Sequence, residues 1–285
     1  MKNILFYLLD SGMRIAVCQL LVEGGEPERN LVRAQEMIER AVTQGCDLAI
    51  LPETLDLAWT HPSVYEEAET IPGTRSDFFC QLAVKHQVWL CLGLTERLED
   101  KIYNSAILID PKGNIRLKHH KINLLEVEFP FYEAGQKLEV VDTEWGKIGL
   151  NICADNYADA LCLGHSLARM GAQLILTPSS WTVDHSVTEE QDPYRDKWLK
   201  PLGELATTYE IPVVSATSVG YIVGGPYEGK KMIGCSLTVD KHGKTYIGEK
   251  NEFAGDLKII QVELGSQQWK GTQFGKMIHE KQGKR

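Results

Sequence analysis

Short apolar runs alternate with amphipathic stretches at both ends of the chain. Residues 14–20 (Arg-Ile-Ala-Val-Cys-Gln-Leu) read as a short buried strand. Between Pro27 and Gly45, the residues Leu31, Ala34, Met37, Ile38, Ala41 and Val42 recur at helical spacing. Pro27 suits the first turn of that helix and Gly45 suits its stop. Residues 47–51 predict a second strand closed by Pro52-Glu53, residues 74–87 a helix, and residues 88–94 a third strand. The middle of the chain changes character. Residues 104–110 and 115–122 flank Pro111-Lys112-Gly113-Asn114, and residues 138–142 and 147–153 flank Trp145-Gly146. Both patterns predict hairpins. Helices follow at 158–170 and 194–209, and strands at 173–177, 213–215, 234–239 and 259–262, with a turn at Lys241-His242-Gly243-Lys244. Residues 178–193 are polar and carry neither period.

Helix-linked and hairpin-linked strands in these numbers predict an α/β fold of two sheets with helices outside them. No repeat or Pro/Ser-rich linker divides the chain. The expected organisation is an N-terminal extension over 1–12, one domain over 13–264 and a polar tail over 265–285.

Composition narrows the possibilities. The chain has 285 residues, 43% hydrophobic and 24% charged, which is enough for a core without disulfide or metal support. A net charge of −9 with no basic stripe argues against a nucleic-acid partner and against binding to anionic membranes. The apolar run Ile4–Leu9 is too short to span a bilayer and lacks a convincing cleavage site. The seven cysteines include no Cys-x-x-Cys pair, so they read as reduced thiols in a cytoplasmic protein, with no zinc spacing and no cofactor motif.

Three reactive side chains occupy equivalent places. Residues 48–51 run into Glu53, residues 115–120 into Lys121, and residues 148–152 into Cys153. Strand ends in α/β folds face the ligand crevice, so three such ends on neighbouring strands would gather a carboxylate, an ammonium and a thiol. A thiol needs a base at neutral pH, and Glu53 would supply it. The start of the 158–170 helix would place amides near the sulfur, and Lys121 would hold positive charge where a substrate oxygen becomes negative. Losing one such donor typically costs ~3–4 kcal/mol of transition-state stabilisation. Each residue alone also fits a plain role: a packed thiol, a strand-end carboxylate, a solvated lysine.

The residues resemble the nitrilase superfamily of carbon–nitrogen hydrolases. Arg14–Gln19 is similar to its first strand, Leu51-Pro52-Glu53 to its glutamate motif, and His120-Lys121-Ile122-Asn123-Leu124 to its lysine motif. Gly149–Asp155 is similar to its nucleophile motif, and Gly171–Ser179 to the strand and loop beyond. The order and spacing match over roughly residues 14–264. The resemblance implies a four-layer α-β-β-α sandwich, homodimers or larger assemblies, and a metal-free Glu53-Lys121-Cys153 triad acting on a small-molecule amide through a thioester. It also implies an oxyanion held by Lys121 and the Ala154 N–H. The turn Phe131-Tyr132-Glu133-Ala134-Gly135 has Ala134 where relatives carry Pro, and counting back from it matches Glu128 to a second carboxylate, with Glu126 as the alternative register.

Substrate class is less defined. Nitrile-hydrolysing members usually follow the cysteine with Trp-Glu and many amidases with Tyr-Asp; Ala154-Asp155 shares only the Asp with the amidases. This favours an amide or carbamoyl compound over a nitrile, with Ala154 enlarging one wall. Asn156 and Tyr157 beside the nucleophile, and Trp181 and His185 in the 178–193 segment, are further candidates for substrate contact, Trp181 fitting a packed role equally well. Two other mechanisms compete: a Cys–His peptidase using His119, His120 or His165, and a non-catalytic scaffold of the same fold.

Overall fold

The computed structural model describes residues 12–187, 194–248, 253 and 255–266. In chain order the strands are β1 (Met13–Leu21), β2 (Leu48–Ile50), β3 (Trp89–Leu98), β4 (Lys101–Ile109), β5 (Ile115–His120), β6 (Val140–Thr143) and β7 (Gly146–Leu150). They continue with β8 (Leu174–Ser179), β9 (Thr182–Val183), β10 (Val213–Tyr221), β11 (Lys231–Ile233), β12 (Leu237–Val239), β13 (Thr245–Ile247) and β14 (Asp256–Val262). The helices are α1 (Pro27–Thr43), α2 (Val64–Glu67), α3 (Thr74–His86), α4 (Cys162–Arg169) and α5 (Tyr194–Tyr209).

Period-two alternation decides which layer each side chain enters. Ile15, Val17, Leu48, Ile50, Trp89 and Cys91 join a cluster with Ile148 and Leu150 of β7, between the sheets. Their neighbours Ala16, Cys18, Ala49, Leu51, Leu90 and Leu92 pack instead against Ala34, Ile38 and Ala41 of α1 and Phe79 and Leu82 of α3. Both faces of these strands are covered, which is why they read as continuous apolar runs. α4 and α5 pack against β7, β10 and β12 of the other sheet. The result is the four-layer α-β-β-α sandwich.

One sheet runs β5-β4-β3-β2-β1-β14 and the other β6-β7-β8-β10-β12-β13. Where β1 and β10 end they pair in parallel, Leu20 with Ser218 and Leu21 with Val219, which stitches the sheets into one. The expectation that Glu53, Lys121 and Cys153 end neighbouring strands is corrected here. β2 and β5 are separated by β3 and β4, and β7 lies in the opposite sheet. Face-to-face stacking, with β5 packed against β7, brings the ends together. Two local expectations also change. The 178–193 segment carries a short strand, β9, paired with β11, and the helix expected from residue 158 begins at Cys162. Residues 1–11 and 267–285, the bulk of the expected extension and tail, lie outside the described residues.

Gly93 in β3 fixes the approach of the Glu53 segment. Gly93 N–H donates to Pro52 O at 3.0 Å, and its carbonyl accepts from Leu55 N–H at 3.0 Å. A Cβ on residue 93 would lie 2.6 Å from Glu53 Cα and 2.7 Å from Thr54 N, both backbone atoms. Gly93→Ala is therefore expected to force the Glu53 backbone away from β3 at a cost of about 1–3 kcal/mol. The thermal midpoint should fall by several degrees; an unchanged melt would contradict this packing.

Candidate active site

The ends of β2, β5 and β7 meet around one buried ammonium. Lys121 directly follows β5, with its N–H bonded to Asn104 O (2.9 Å) and its carbonyl accepting from Gly135 N–H (2.8 Å). A Cβ on residue 135 would stand 2.1 Å from His120 O, so only glycine fits against this strand end. Lys121 Nζ donates to Glu53 Oε1 at 2.8 Å and to both oxygens of Glu128 at 2.9 Å. Glu128 closes a 3-10 turn, Glu126–Glu128, and is fixed by Leu125 N–H on Oε2 (2.9 Å) and the Trp59 indole N–H on Oε1 (2.8 Å). Glu126 is exposed. Of the two registers left open by the sequence, Glu128 is the carboxylate at Lys121.

Burial sets the electrostatics. Lys121, Glu53 and Glu128 are each 1% exposed or less. Burial would push the Lys121 ammonium down, but the adjacent Glu128 and Glu53 outweigh it and hold it well above the usual lysine range. Burial raises Glu53, Lys121 opposes that rise, and the charge of Glu128 adds to it. Two carboxylates against one ammonium leave an excess negative charge, so Glu53 has an enhanced appetite for a proton.

Cys153 sits on a strained elbow. β7 ends at Leu150, and Cys153 has φ +41°, a left-handed value costly for a side chain with a Cβ. A 3-10 turn, Cys153–Asn156, starts on the cysteine itself, so the amides near the sulfur belong to this turn rather than to an α-helix. Cys153 Sγ contacts Ser180 O at 3.6 Å, while Ser179 O accepts from Glu53 N–H at 3.3 Å. Adjacent carbonyls at the end of β8 thus hold the thiol and the Glu53 backbone. Burial pushes the thiol up, the Glu53 charge adds, and Lys121 opposes, so the resting sulfur is protonated. The thiol opens onto a cleft of about 260 Å³ whose walls include Trp59, Leu125, Tyr157, Tyr227 and Lys230.

The other candidates divide. Tyr157 lines the cleft. Ala154 is buried in the first turn of the 3-10 helix, where backbone N–H groups have no partner within the helix. Asn156 does not reach the cleft: it pairs with Asn151 through bonds of 2.8 and 3.0 Å and donates to Thr177 Oγ1 at 2.9 Å, bracing the elbow. Trp181 is fully buried, stacked on Trp198 at 4.8 Å, which in turn stacks on Tyr157 at 4.8 Å. Its place is behind the cleft wall. His185 is exposed beside Asp184. His119 bonds Asp155 and His120 bonds Glu96, while His165 bonds Tyr209, so none of the three is hydrogen-bonded to Cys153. No group of three His, Cys, Asp or Glu able to hold a metal occurs among the described residues. No described helix is long and apolar enough to cross a membrane.

Asp155 is the residue whose role the sequence did not disclose. Its Oδ1 accepts from the N–H groups of Ile122 (3.1 Å) and Asn123 (2.8 Å), and its Oδ2 from Ile152 N–H (3.0 Å) and His119 Nε2 (2.8 Å). One buried carboxylate therefore ties the loop after Lys121 to the elbow of Cys153. Burial alone would raise its carboxyl; these donors, His119 foremost, hold it below the usual range.

The family model described as carbon-nitrogen hydrolase matches residues 14–272. A protein named nitrilase from Pyrococcus abyssi is 30% identical over 226 residues, covering 78% of this chain and 80% of its own length. The omega-amidase NIT3 of Saccharomyces cerevisiae is 32% identical over 194 residues, covering 61% of this chain and 65% of its own. The crystal structure of S. cerevisiae Nit3 superposes with a TM-score of 0.73 at 25% identity, covering 88% of this chain and 90% of that one. A Helicobacter pylori carbon-nitrogen hydrolase shares the fold with a TM-score of 0.79 at 21% identity, covering 89% of each chain. The chain belongs to the carbon–nitrogen hydrolase family of the nitrilase superfamily, and is an enzyme rather than a bare scaffold of that fold.

Asp155→Asn would turn an amide N–H₂ against Ile152 N–H or the loop amides. It is expected to cost about 3 kcal/mol in urea unfolding at neutral pH. Because this carboxyl titrates below its unfolded value, its contribution is present at neutral pH and lost as pH falls through the depressed value. The difference between variant and parent should therefore shrink in acid. A constant difference across that range would contradict the clamp.

Proposed function

We propose that the protein hydrolyses the C–N bond of a small linear amide or carbamoyl compound through a thioester on Cys153. The supporting observation is the buried Glu53-Lys121-Glu128 cluster beside a strained, cleft-facing thiol. Glu53 takes the thiol proton as sulfur bonds to the carbonyl carbon and the carbonyl electron pair moves onto oxygen. Lys121 spans both oxygens of Glu128 at 2.9 Å, so one N–H shared between them leaves another for this oxygen, beside the Ala154 amide. Collapse breaks the C–N bond, and Glu53 returns its proton to the departing nitrogen. Water then gives a proton to Glu53 and attacks the thioester; the C–S bond breaks and the sulfur is reprotonated. Glu128 keeps Lys121 charged and in place.

The cleft wall supports a finer reading of the acyl part. Lys230 Nζ rests 3.8 Å from the Tyr227 ring centre, Tyr227 meets Trp59 edge-on at 5.6 Å, and Trp59 bonds Glu128. Lys230 has no carboxylate within ion-pair distance among the described residues, and Asp184 nearby is bonded by Ser186. We infer that Lys230 receives a negatively charged group at the end of the substrate remote from the amide. We also propose residues 13–264 as the hydrolase domain, a cytoplasmic location consistent with the unbridged thiols Cys18, Cys46, Cys80, Cys91, Cys153 and Cys162, and a homodimer, to be read by light scattering.

Ammonia release from a panel of amides, carbamoyl amines and nitriles tests the reaction. Cys153→Ala and Glu53→Gln should abolish turnover, and Lys121→Met should lower kcat by at least about 100-fold, the scale of one oxyanion donor. Turnover of nitriles but not amides, or an active Cys153→Ala, would contradict the reading. Lys230→Met should raise KM about tenfold or more for an amide ending in a carboxylate, the scale of one charge-assisted bond, and leave a neutral amide of equal length unchanged. An equal effect on both would remove Lys230 from substrate recognition.

A further inference from the structure

Asn104 on β4 touches every charged member of the cluster. Its backbone carbonyl accepts from Lys121 N–H at 2.9 Å. Its side-chain Nδ2 donates to Glu53 Oε1 at 2.6 Å and lies 3.4 Å from Glu128 Oε1. Nδ2 is the end that must face the carboxylates, because the opposite orientation would set a carbonyl oxygen against two of them. Asn104 is fully buried, and its Oδ1 has no hydrogen-bond partner. The residue thus leaves its acceptor end unpaired in order to point its donor end at Glu53, a trade that a merely space-filling polar residue would not make.

The consequence lies on Glu53. Oε1 accepts two strong hydrogen bonds, one from Lys121 and one from Asn104. Oε2 is buried and has none. A carboxylate so loaded has its accessible basic lone pairs on one oxygen only. Resting on the triad reading above, we propose that Asn104 is a positioning residue that saturates Oε1 of Glu53 and thereby assigns all proton transfer to Oε2. The proton leaves Cys153 sulfur for Oε2, passes from Oε2 to the leaving nitrogen, and is replaced on Oε2 by a proton from the hydrolytic water. Oε1 never carries it. Asn104 also favours the anionic form of Glu53, which must be present at the start of each cycle.

The charged and titratable groups acting on Glu53 are Lys121 after β5, Glu128 of the 3-10 turn, Cys153 of the elbow and the Tyr132 hydroxyl. Removing the Asn104 donor leaves all of these in place, so a change in the pH profile reports on that donor.

The test is the pH dependence of kcat/KM, and of Cys153 alkylation by iodoacetamide, in the full chain carrying Asn104→Leu. Asn104→Ser, which adds no volume and keeps one hydroxyl donor, serves as the second variant should the leucine protein fail to fold. In Asn104→Leu the acid limb of both profiles should move to higher pH by about one unit or more, the scale of one charge-assisted bond. In Asn104→Ser it should move less. A uniform fall in activity with unmoved limbs, in whichever variant folds, would show a structural role only and overturn the proposal. Loss of the acid limb of the alkylation profile in Glu53→Gln, leaving only the rise due to the thiol itself, separates this from the base reading: if Glu53→Gln keeps the parent profile, it is the triad assignment that fails.

Discussion

The molecule is organised around an ammonium placed where water cannot reach it. A charged lysine at 1% exposure is tolerable only with anionic partners in hydrogen-bond contact, since desolvating an ion costs several kcal/mol. Lys121 has two such partners, Glu53 and Glu128. The pairing is deliberately unbalanced: two carboxylates on one cation leave a net negative charge in a closed site. Burial first, with the charge of Glu128 adding to it against the opposing Lys121, gives Glu53 its affinity for a proton, and that affinity makes a nearby thiol the natural donor. Every other feature of the site serves to hold these charges at contact distance.

Holding them is a task for the sandwich rather than for any one loop. β2 and β5 belong to one sheet and β7 to the other, so the charged cluster and the thiol meet only because the two sheets stack in one register. Three kinds of local device refine that stacking. Gly93 and Gly135 let backbones approach closer than a side chain would permit. Left-handed residues at Thr54 and Cys153 turn the chain sharply beside both reactive groups. Asp155 and the Asn151–Asn156 pair stiffen the elbow from behind. Strained backbone persists where surrounding contacts over-determine it, and these contacts do so.

Much of this was legible in the sequence, and what was not has a common cause. Glu53, Lys121 and Cys153 stood out because each follows a strand pattern, a local signal that needs no knowledge of partners. Glu128 could be counted from the turn ending at Gly135. Asn104, Trp59 and Asp155 gave no such signal, because what matters about them is a bond to residues 51, 69 and 36 positions away. Only the stacked sheets reveal those pairs. The substrate-contact reading of Asn156 fails for the same reason, and of the two readings of Trp181 the packed one fits the structure. Sequence proximity to a nucleophile or to a loop does not say which way a side chain turns, and Asn151 and Trp198 decide it. The two-residue strand β9 is set by β11, nearly fifty residues on, and has no pattern of its own.

The central claim is that the thiol of Cys153 becomes covalently acylated with the buried Glu53 as its base. Intact-mass and peptide mass spectrometry of the parent protein, acid-quenched during turnover of an amide, with the Glu53→Gln protein alongside, tests it most directly. The account predicts an adduct with the mass of the acyl group in the parent, confined to the peptide containing Cys153, strongly reduced in Glu53→Gln and absent when Cys153 is alanine. An acyl group on any other residue, or the same adduct persisting in the alanine variant, would contradict it.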